Sequence, residues 1–497
     1  MLKITSLAIL STFAALAACN LDVAEPPSGP AAGTPPAIAP SDPMAPAPTP
    51  ASGMAIVRVI HASADAPSVD VYAKGSEKPL VTGITYGQTS GWLEVPPGSY
   101  EFELRAAPSK PTDPIAYKTG ALTIPAGAKI SAIAAGLLGS QETDSAFRIV
   151  PVVEGFGPAQ PGSARLRVIH AGSDAPSVDL DVGNDDPSKP EVAGLMRFKD
   201  TGAAGVALPS NKALAVGIAA GGSRVTAFTT PKLPDGAELL VIATGLLGKL
   251  ARERDGIALL AVGPNGSIGF VKQDPRVYTL HASPDAPRID AFVGTSEIVD
   301  DVGFGELAKP IQVQPGEYTI DVFAHAAGSA RPASKPALSA SSGMLEAGER
   351  YLTVAEGFLA GTGARSIRLV GYREGFALGT GKAQLRAVHA SPDAPEVDIG
   401  LSLTGAKIDP VLFGGLVFSK ASADEGISAD AGHLPVGVTP AGQNTSIVAR
   451  VPLPATNDQR AVVLAGGALN AQLGQGFRFF VVDTAASPWT VSTVFPH

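Results

Sequence analysis

The chain of 497 residues has a single cysteine, Cys19, and few aromatic or charged residues. With one cysteine, no disulfide can form within the chain. Aromatic residues make up 6% of the composition, so apolar cores must rest on Val, Ile, Leu and Ala. Charged residues make up only 17%, which disfavours long charged surface helices, whereas 56 glycines and 44 prolines favour many short strands joined by turns.

A basic surface is lacking as well. No run of Lys or Arg occurs, and the formal net charge is −9. Because phosphate binding needs a basic face, nucleic acid is excluded as a partner. The sequence also has no G-x-S-x-G elbow, no H-E-x-x-H pair and no glycine loop of the kind that cradles phosphates. We therefore expect a non-enzymatic protein without a required cofactor.

The N-terminal stretch MLKITSLAILSTFAALAAC has an apolar run that ends just before Cys19. The run is too short for a membrane span and is typical of a signal peptide, here residues 1–18. The tetrad Leu16-Ala17-Ala18-Cys19 resembles the lipobox of bacterial lipoproteins, in which the signal is cut before a cysteine that then carries the lipid. The resemblance implies an extracytoplasmic protein anchored to a membrane through Cys19, and Asn20 favours the outer membrane or cell surface. A plain secretory signal is the alternative.

Residues 19–54 are dominated by Ala, Pro, Gly and Ser and show no apolar periodicity. Such a segment cannot bury enough apolar surface to offset the entropy lost on ordering. We predict a disordered, partly polyproline tether that follows the lipidated cysteine.

Four copies of one motif follow, about 110 residues apart. They read HASADAPSVD, HAGSDAPSVD, HASPDAPRID and HASPDAPEVD, beginning at His61, His170, His281 and His389. This spacing is domain-sized, and alternating stretches such as YEFELR, bounded by Pro and Gly turns, predict seven or eight strands per copy. The predicted fold class is all-β, with four tandem antiparallel β-sandwich domains of immunoglobulin-like proportions; a small barrel is the alternative. The predicted domains are residues 55–156, 165–270, 276–375 and 384–497, of which the last is the most divergent.

The repeated motif resembles that of a bacterial envelope repeat family known only as a domain of unknown function, number forty-three ninety-seven. The family hallmark looks like R-V-x-H-A-S-P-D-A-P-x-V-D-V-Y, and all ten positions of HASPDAPEVD, residues 389–398, fit it. The resemblance covers nearly everything after residue 55. It implies an exported protein with tandem repeats and carries no established activity.

Each motif places one histidine and two aspartates around a tight corner between two strands. The residues are His61, Asp65, Asp70, His170, Asp174, Asp179, His281, Asp285, Asp290, His389, Asp393 and Asp398. One interpretation is a structural corner in which these side chains bind the backbone of a short loop. The other is a site for Ca²⁺ or Zn²⁺. All four copies keep the motif, and this favours the structural corner, because a single activity would need only one copy.

Two acidic loops are candidate Ca²⁺ sites, although solvated turns have the same composition. They contain Asp181, Asn184, Asp185 and Asp186 in the second copy, and Glu297, Asp300 and Asp301 in the third. Trp92 and Tyr100 are predicted to lie in the core of the first copy.

The sequence therefore predicts a lipid-anchored protein of the cell envelope that acts as a binding, adhesive or structural module. Its partners would be the membrane, through the lipid, and a protein or glycan ligand. The alternative is a divalent-metal-binding protein or metal-dependent enzyme that uses the repeated His-x3-Asp-x4-Asp corners.

Overall fold

Short β-strands make up nearly all of the regular structure, as the Gly- and Pro-rich composition predicts. The computed structural model describes residues 42–158 and 160–497, so the predicted signal peptide, Cys19 and the first part of the tether lie outside the described residues. Two 3-10 helices, Gly363–Arg365 and Ala471–Leu473, occur in the described part. None of its helices has the length and apolar character needed to cross a membrane.

The strands divide into four repeats. Repeat 1 contains β1 (Ala55–His61), β2 (Val69–Ala73), β3 (Val81–Ile84), β4 (Leu93–Val95), β5 (Gly98–Tyr100), β6 (Phe102–Ala106), β7 (Tyr117–Lys118), β8 (Leu122–Ile124), β9 (Lys129–Ala135) and β10 (Arg148–Val153). Repeat 2 contains β11 (Ser163–His170), β12 (Val178–Val182), β13 (Val192–Leu195), β14 (Val206–Pro209), β15 (Ala215–Ala220), β16 (Ser223–Thr229), β17 (Glu238–Thr244), β18 (Ala258–Val262) and β19 (Ser267–Lys272).

The second half of the chain repeats this series. Repeat 3 contains β20 (Arg276–His281), β21 (Ile289–Val293), β22 (Ser296–Val302), β23 (Ile311–Gln312), β24 (Gly316–Ala324), β25 (Leu338–Leu345), β26 (Arg350–Glu356) and β27 (Arg368–Arg373). Repeat 4 contains β28 (Ala383–Ala390), β29 (Val397–Leu401), β30 (Val411–Leu416), β31 (Lys420–Ala421), β32 (Ile427–Ala429), β33 (Gly432–Pro440), β34 (Ala449–Ala455), β35 (Arg460–Gly466), β36 (Arg478–Asp483) and β37 (Thr490–Val494).

Each repeat is a sandwich of two sheets, which confirms the predicted fold class. In repeat 1 the strand orders are β10-β9-β1-β4 and β3-β2-β6-β7, and the other repeats follow the same plan. We call the sheet that contains the first strand of a repeat its inner sheet and the other its outer sheet. Within the inner sheet the first strand pairs in parallel with β9, β17, β26 or β35, because the chain has crossed to the outer sheet and back between them. The sandwiches are therefore antiparallel except for this one pair.

The first strand of each repeat is more buried than a two-layer sandwich requires. All seven residues of β1 and all eight of β28 are buried, with no alternation between a core face and a solvent face. A strand buried on both faces must have a second layer packed against its other side.

That second layer is the inner sheet of the neighbouring repeat, so the repeats associate in two pairs. One apolar cluster joins Ile60 and Ile133 of repeat 1 to Ile169 and Leu240 of repeat 2. A matching cluster joins the inner sheets of repeats 3 and 4, where Tyr278 and Trp489 stack with ring centroids 4.0 Å apart. The second member of each pair also extends its inner sheet by one edge strand, β19 or β37. The chain is thus a duplicated pair of repeats.

Residues 42–54, assigned to the tether from sequence, contact the folded part. The backbone carbonyl of Pro43 accepts a hydrogen bond from the Asn265 N–H, in the β18–β19 turn, at 3.1 Å. Met44 packs against the core of repeat 2. Every described strand and apolar cluster lies within Asp42–His497, which forms one compact unit with its own cores.

Candidate functional site

The histidine of each corner is buried at the end of the first strand of its repeat. His61, His170, His281 and His389 are at most 2% exposed. In each case Nε2 lies 2.7–3.0 Å from the carbonyl oxygen of the proline six residues later. A carbonyl oxygen only accepts, so Nε2 must carry the proton and donate.

The first aspartate of each corner binds backbone N–H groups of the loop that follows the parallel strand. The Asp65 carboxylate accepts from Leu138 N at 2.8 Å and Gly139 N at 2.9 Å. Asp285 and Asp393 each bind two consecutive N–H groups in the same way, and Asp174 binds Leu247 N. This residue therefore ties the corner to a loop more than 70 positions away.

The second aspartate lies on the outer sheet and binds backbone on the neighbouring strands. Asp70 accepts from Gly83 N at 2.7 Å and from Ser109 N at 2.8 Å. Asp179 accepts from Gly194 N, and Asp398 accepts from Gly415 N and Gly442 N, each at 2.7 Å. Asp290, in repeat 3, accepts from Asp301 N and Ala326 N and also contacts a histidine.

The three side chains of a corner thus point to different parts of the backbone. Burial lowers the pKa of all four corner histidines and keeps them neutral, while the hydrogen bonds to proline carbonyls act in the opposite direction. An Nε2 that donates to a carbonyl has no free lone pair for a metal ion. These contacts have the geometry that a structural corner requires.

The acidic loop of repeat 2 forms bonds within itself. Asp181 is 1% exposed and accepts a hydrogen bond from Asp185 N at 3.3 Å. Asp186 binds Ser188 and pairs with Lys189 at 2.9 Å, and Asn184 occupies the left-handed region at φ 58°. Asp181 is therefore buried at the base of the loop, 3.6 Å from Arg224, while the remaining acidic residues have the contacts of a turn.

The acidic segment of repeat 3 lies beside a histidine that sequence reasoning missed. Asp290, Asp300 and His325 place ligand atoms within 4.8 Å of one another, and this is the one such group in residues 42–158 and 160–497. His325 Nδ1 is 2.9 Å from Asp290 Oδ1, and this contact raises the pKa of His325. Asp301 lies 3.7 Å from His325 Nε2, and nearby carboxylates add to burial in raising the pKa of Glu297.

Trp92 and Tyr100 have different surroundings. The Trp92 indole N–H donates to the Pro264 carbonyl of repeat 2 at 3.1 Å, and Arg58 lies over its ring at 4.5 Å. Trp92 therefore belongs to the contact between repeats. Tyr100 packs against the apolar cluster at one end of repeat 1 and stacks on Phe102.

A large internal space lies between the two sheets of repeat 2. It is a cavity of about 520 Å³, whereas the equivalent spaces in repeats 1 and 3 measure about 60 and 30 Å³. Its wall is made of aliphatic side chains from both sheets, together with Phe228 and Met44. The polar side chains in the wall are His170, Thr226, Thr230 and Lys232. A cavity of this volume and lining is typical of a site for a small apolar molecule.

Repeats 1 and 2 differ in side-chain size at three interior positions. In repeat 1 the interior is packed with Phe102, Tyr117 and Phe147, and the last two meet edge to face at 4.7 Å between centroids. Alignment of the two repeats through their strand registers places Val216, Thr226 and Ile257 at these three positions in repeat 2. Three aromatic rings are thus replaced by smaller side chains while the backbone keeps the same plan.

The cavity reaches the surface through apolar side chains. Leu247, Val225 and Ile268 form part of its wall and are 41–45% exposed. Sequence reasoning missed this site because the strand registers are needed to match its interior positions between the copies. The corner of repeat 2 contributes His170, Ala175 and Pro176 to the wall, but the same motif recurs in every copy and does not distinguish repeat 2.

The family model described as Domain of unknown function (DUF4397) matches residues 55–181 and 275–400, about half of the chain in total. Each match begins at the first repeat of a pair and ends within the second strand of the next repeat. No curated protein matches the chain in sequence.

Proposed function

The chain belongs to the DUF4397 family, whose description assigns no activity, and we propose that it is a lipid-anchored, non-enzymatic binding protein of the cell envelope. Its ligand is a small apolar molecule that is held inside repeat 2. The observation that carries this proposal is the cavity of about 520 Å³ between the sheets of that repeat.

Physical chemistry supports a binding role for the cavity. An empty apolar cavity lowers the stability of a protein by about 24 cal/mol per Å³ of cavity volume. A cavity of this size is therefore strongly destabilising unless a ligand fills it. The other repeats show that the same backbone plan accepts a filled interior. Apolar surface buried by a ligand contributes about 25 cal/mol per Å².

The test uses the compact unit Asp42–His497 and the fluorescent apolar probe N-phenyl-1-naphthylamine. We expect saturable fluorescence enhancement with one site per chain. The variant Val216→Phe/Ile257→Phe carries phenylalanine where repeat 1 has Phe102 and Phe147. It should bind the probe at least 10-fold more weakly than the wild type.

The matched control changes repeat 1 in the opposite direction. Tyr117→Thr/Phe147→Ile gives repeat 1 the smaller side chains of repeat 2, and probe binding to repeat 2 should persist in this variant. Circular dichroism confirms that both variants are folded. If the wild type does not bind the probe, or if the filled variant binds it equally well, the proposal fails.

The lipid anchor is tested separately in the full chain. The lipobox-like tetrad that ends at Cys19 and the Pro-rich segment after it support membrane attachment. Metabolic labelling with an alkyne analogue of palmitate should mark the wild type, and Cys19→Ala should abolish both the label and recovery in the membrane fraction. A labelled Cys19→Ala protein would contradict the assignment.

A second candidate function is divalent-metal binding at Asp290, Asp300 and His325 in repeat 3. A histidine with two carboxylates suits a transition ion such as Zn²⁺, and here the ligand atoms lie within 4.8 Å of one another. Because the ion must displace the proton from His325, whose pKa is raised by Asp290, binding should strengthen as the pH rises.

Thermal melting with Zn²⁺ and with EDTA tests this candidate. Zn²⁺ should raise the Tm of the wild type and of His433→Ala, which removes an exposed histidine in repeat 4. It should leave the Tm of His325→Ala unchanged. An equal shift in all three proteins would show that the ion binds elsewhere.

A further inference from the structure

We infer that the ligand of repeat 2 is a single acyl chain with an anionic head group, an inference that rests on the proposed apolar binding function. The two observations that carry it are the aliphatic character of the cavity wall and the position of one lysine.

The cavity extends through the interior of repeat 2, because its wall includes residues from all nine strands of that repeat. Its wall includes Leu239, near the start of β17, and Ala243, near the end, which are roughly 13 Å apart in an extended strand. It continues beyond both ends of the strand, to Pro234 on one side and Leu247 on the other. A cavity of about 520 Å³ whose wall covers this distance has room for one acyl chain.

The wall offers few hydrogen-bonding groups to a ligand. Among its polar members, His170 uses Nε2 to bind Pro176 O, and Thr230 binds the backbone N–H of Leu214 through its hydroxyl oxygen. Thr226 accepts a hydrogen bond from the side chain of Gln312. A ligand with hydroxyl or amide groups along its length would lose its bonds to water and gain few in return. A hydrocarbon chain does not incur this cost.

Lys232 is the one charged side chain in the cavity wall, and it is exposed. It lies in the loop before β17, flanked by the wall residues Pro231 and Leu233. A carboxylate or phosphate can pair with this ammonium group at the surface while its acyl chain enters the cavity. The charges then stay hydrated, so the pair avoids the penalty of burying an ion.

The experiment measures displacement of N-phenyl-1-naphthylamine from Asp42–His497 by three compounds that share one acyl chain. Oleate and 1-oleoyl-lysophosphatidylglycerol carry anionic heads, and methyl oleate is neutral. We expect the anionic compound with the higher affinity to bind at least 5-fold more tightly than methyl oleate. Lys232→Glu should remove this preference and leave methyl oleate binding unchanged, with Lys212→Glu, an exposed lysine outside the wall, as the matched control.

The outcomes separate the two proposals. If methyl oleate binds as tightly as both anionic compounds and Lys232→Glu changes none of these affinities, the inferred anionic head group is wrong. The proposed apolar binding function would still stand. If the wild type binds neither the naphthylamine nor any oleoyl compound, both proposals fail. Tighter binding of oleate assigns the site to free fatty acids, and tighter binding of the lysophospholipid assigns it to membrane lipids; either result supports the inference.

Discussion

Repeats 1 and 2 share a backbone plan and a corner but differ in what fills their interiors. In both, the corner histidine donates to a proline carbonyl and the first aspartate binds the loop after the parallel strand. Their interiors differ, with spaces of about 60 and 520 Å³. The comparison shows that backbone-directed polar contacts hold this fold, which leaves the apolar interior free to change.

The largest effect expected from this comparison is on stability after truncation to alanine. Phe147→Ala in repeat 1 removes a ring packed against Tyr117 and should lower the free energy of unfolding by about 3 kcal/mol. Ile257→Ala, at the equivalent position beside the cavity, has fewer contacts to lose and should cost about 2 kcal/mol. Urea denaturation followed by circular dichroism measures both. Equal costs would indicate that the repeat 2 interior is packed as tightly as that of repeat 1.

Replacing a residue with a larger one should cost less stability in repeat 2 than in a repeat whose interior is filled. Val216→Phe in repeat 2 has a large space to enter, and its effect on the free energy of unfolding should stay within about 1 kcal/mol. Ile320→Phe occupies the equivalent position in repeat 3, where the space is about 30 Å³, and overpacking there should cost about 1–3 kcal/mol. Urea denaturation measures the free energy of unfolding of both variants. A larger loss for Val216→Phe than for Ile320→Phe would contradict the presence of a large cavity in repeat 2.

The smallest of these effects, a dependence on pH, should be common to both repeats because the corner is common to both. Burial lowers the folded-state pKa of the corner histidines below the ordinary value of 6.5. The unfolded chain therefore binds more protons, so stability is full above pH 6.5 and is lost as the pH falls from 6.5 toward the lowered pKa.

Melting curves between pH 7.5 and 5.5 check this prediction. His61→Gln and His170→Gln should each flatten the dependence slightly and by similar amounts, because glutamine can donate to the proline carbonyl without titrating. His325 acts in the opposite sense, since its pKa is raised by Asp290, and removing it should steepen the loss toward acid pH. A Tm that rises as the pH falls would contradict the role given to the corners.

The sequence predicted the sandwich and the polar corner because each depends on local patterns that recur four times. Alternating strands and Pro-Gly turns are visible within a dozen residues. The pairing of repeats depends on strands such as β1 that are buried on both faces. VRVIH does not show this, because Arg58 is buried on the second face, where it pairs with Glu154 and donates to the Gly263 carbonyl of repeat 2. The difference in interior volume between repeats 1 and 2 involves Val216 on β15, Thr226 on β16 and Ile257 just before β18. Only the register of the folded sheets shows that these positions are neighbours.

Pairing through the inner sheets has a consequence for how such a chain can be lengthened. The inner sheets of repeats 1 and 2 pack on each other, as do those of repeats 3 and 4, so the unit that recurs with its full set of contacts is two repeats long. A chain with an odd number of repeats would present one apolar sheet to water and would tend to aggregate. Gene duplication in this architecture should therefore add repeats in pairs. A single additional repeat would leave an apolar sheet exposed, whereas an additional pair would bury both of its inner sheets.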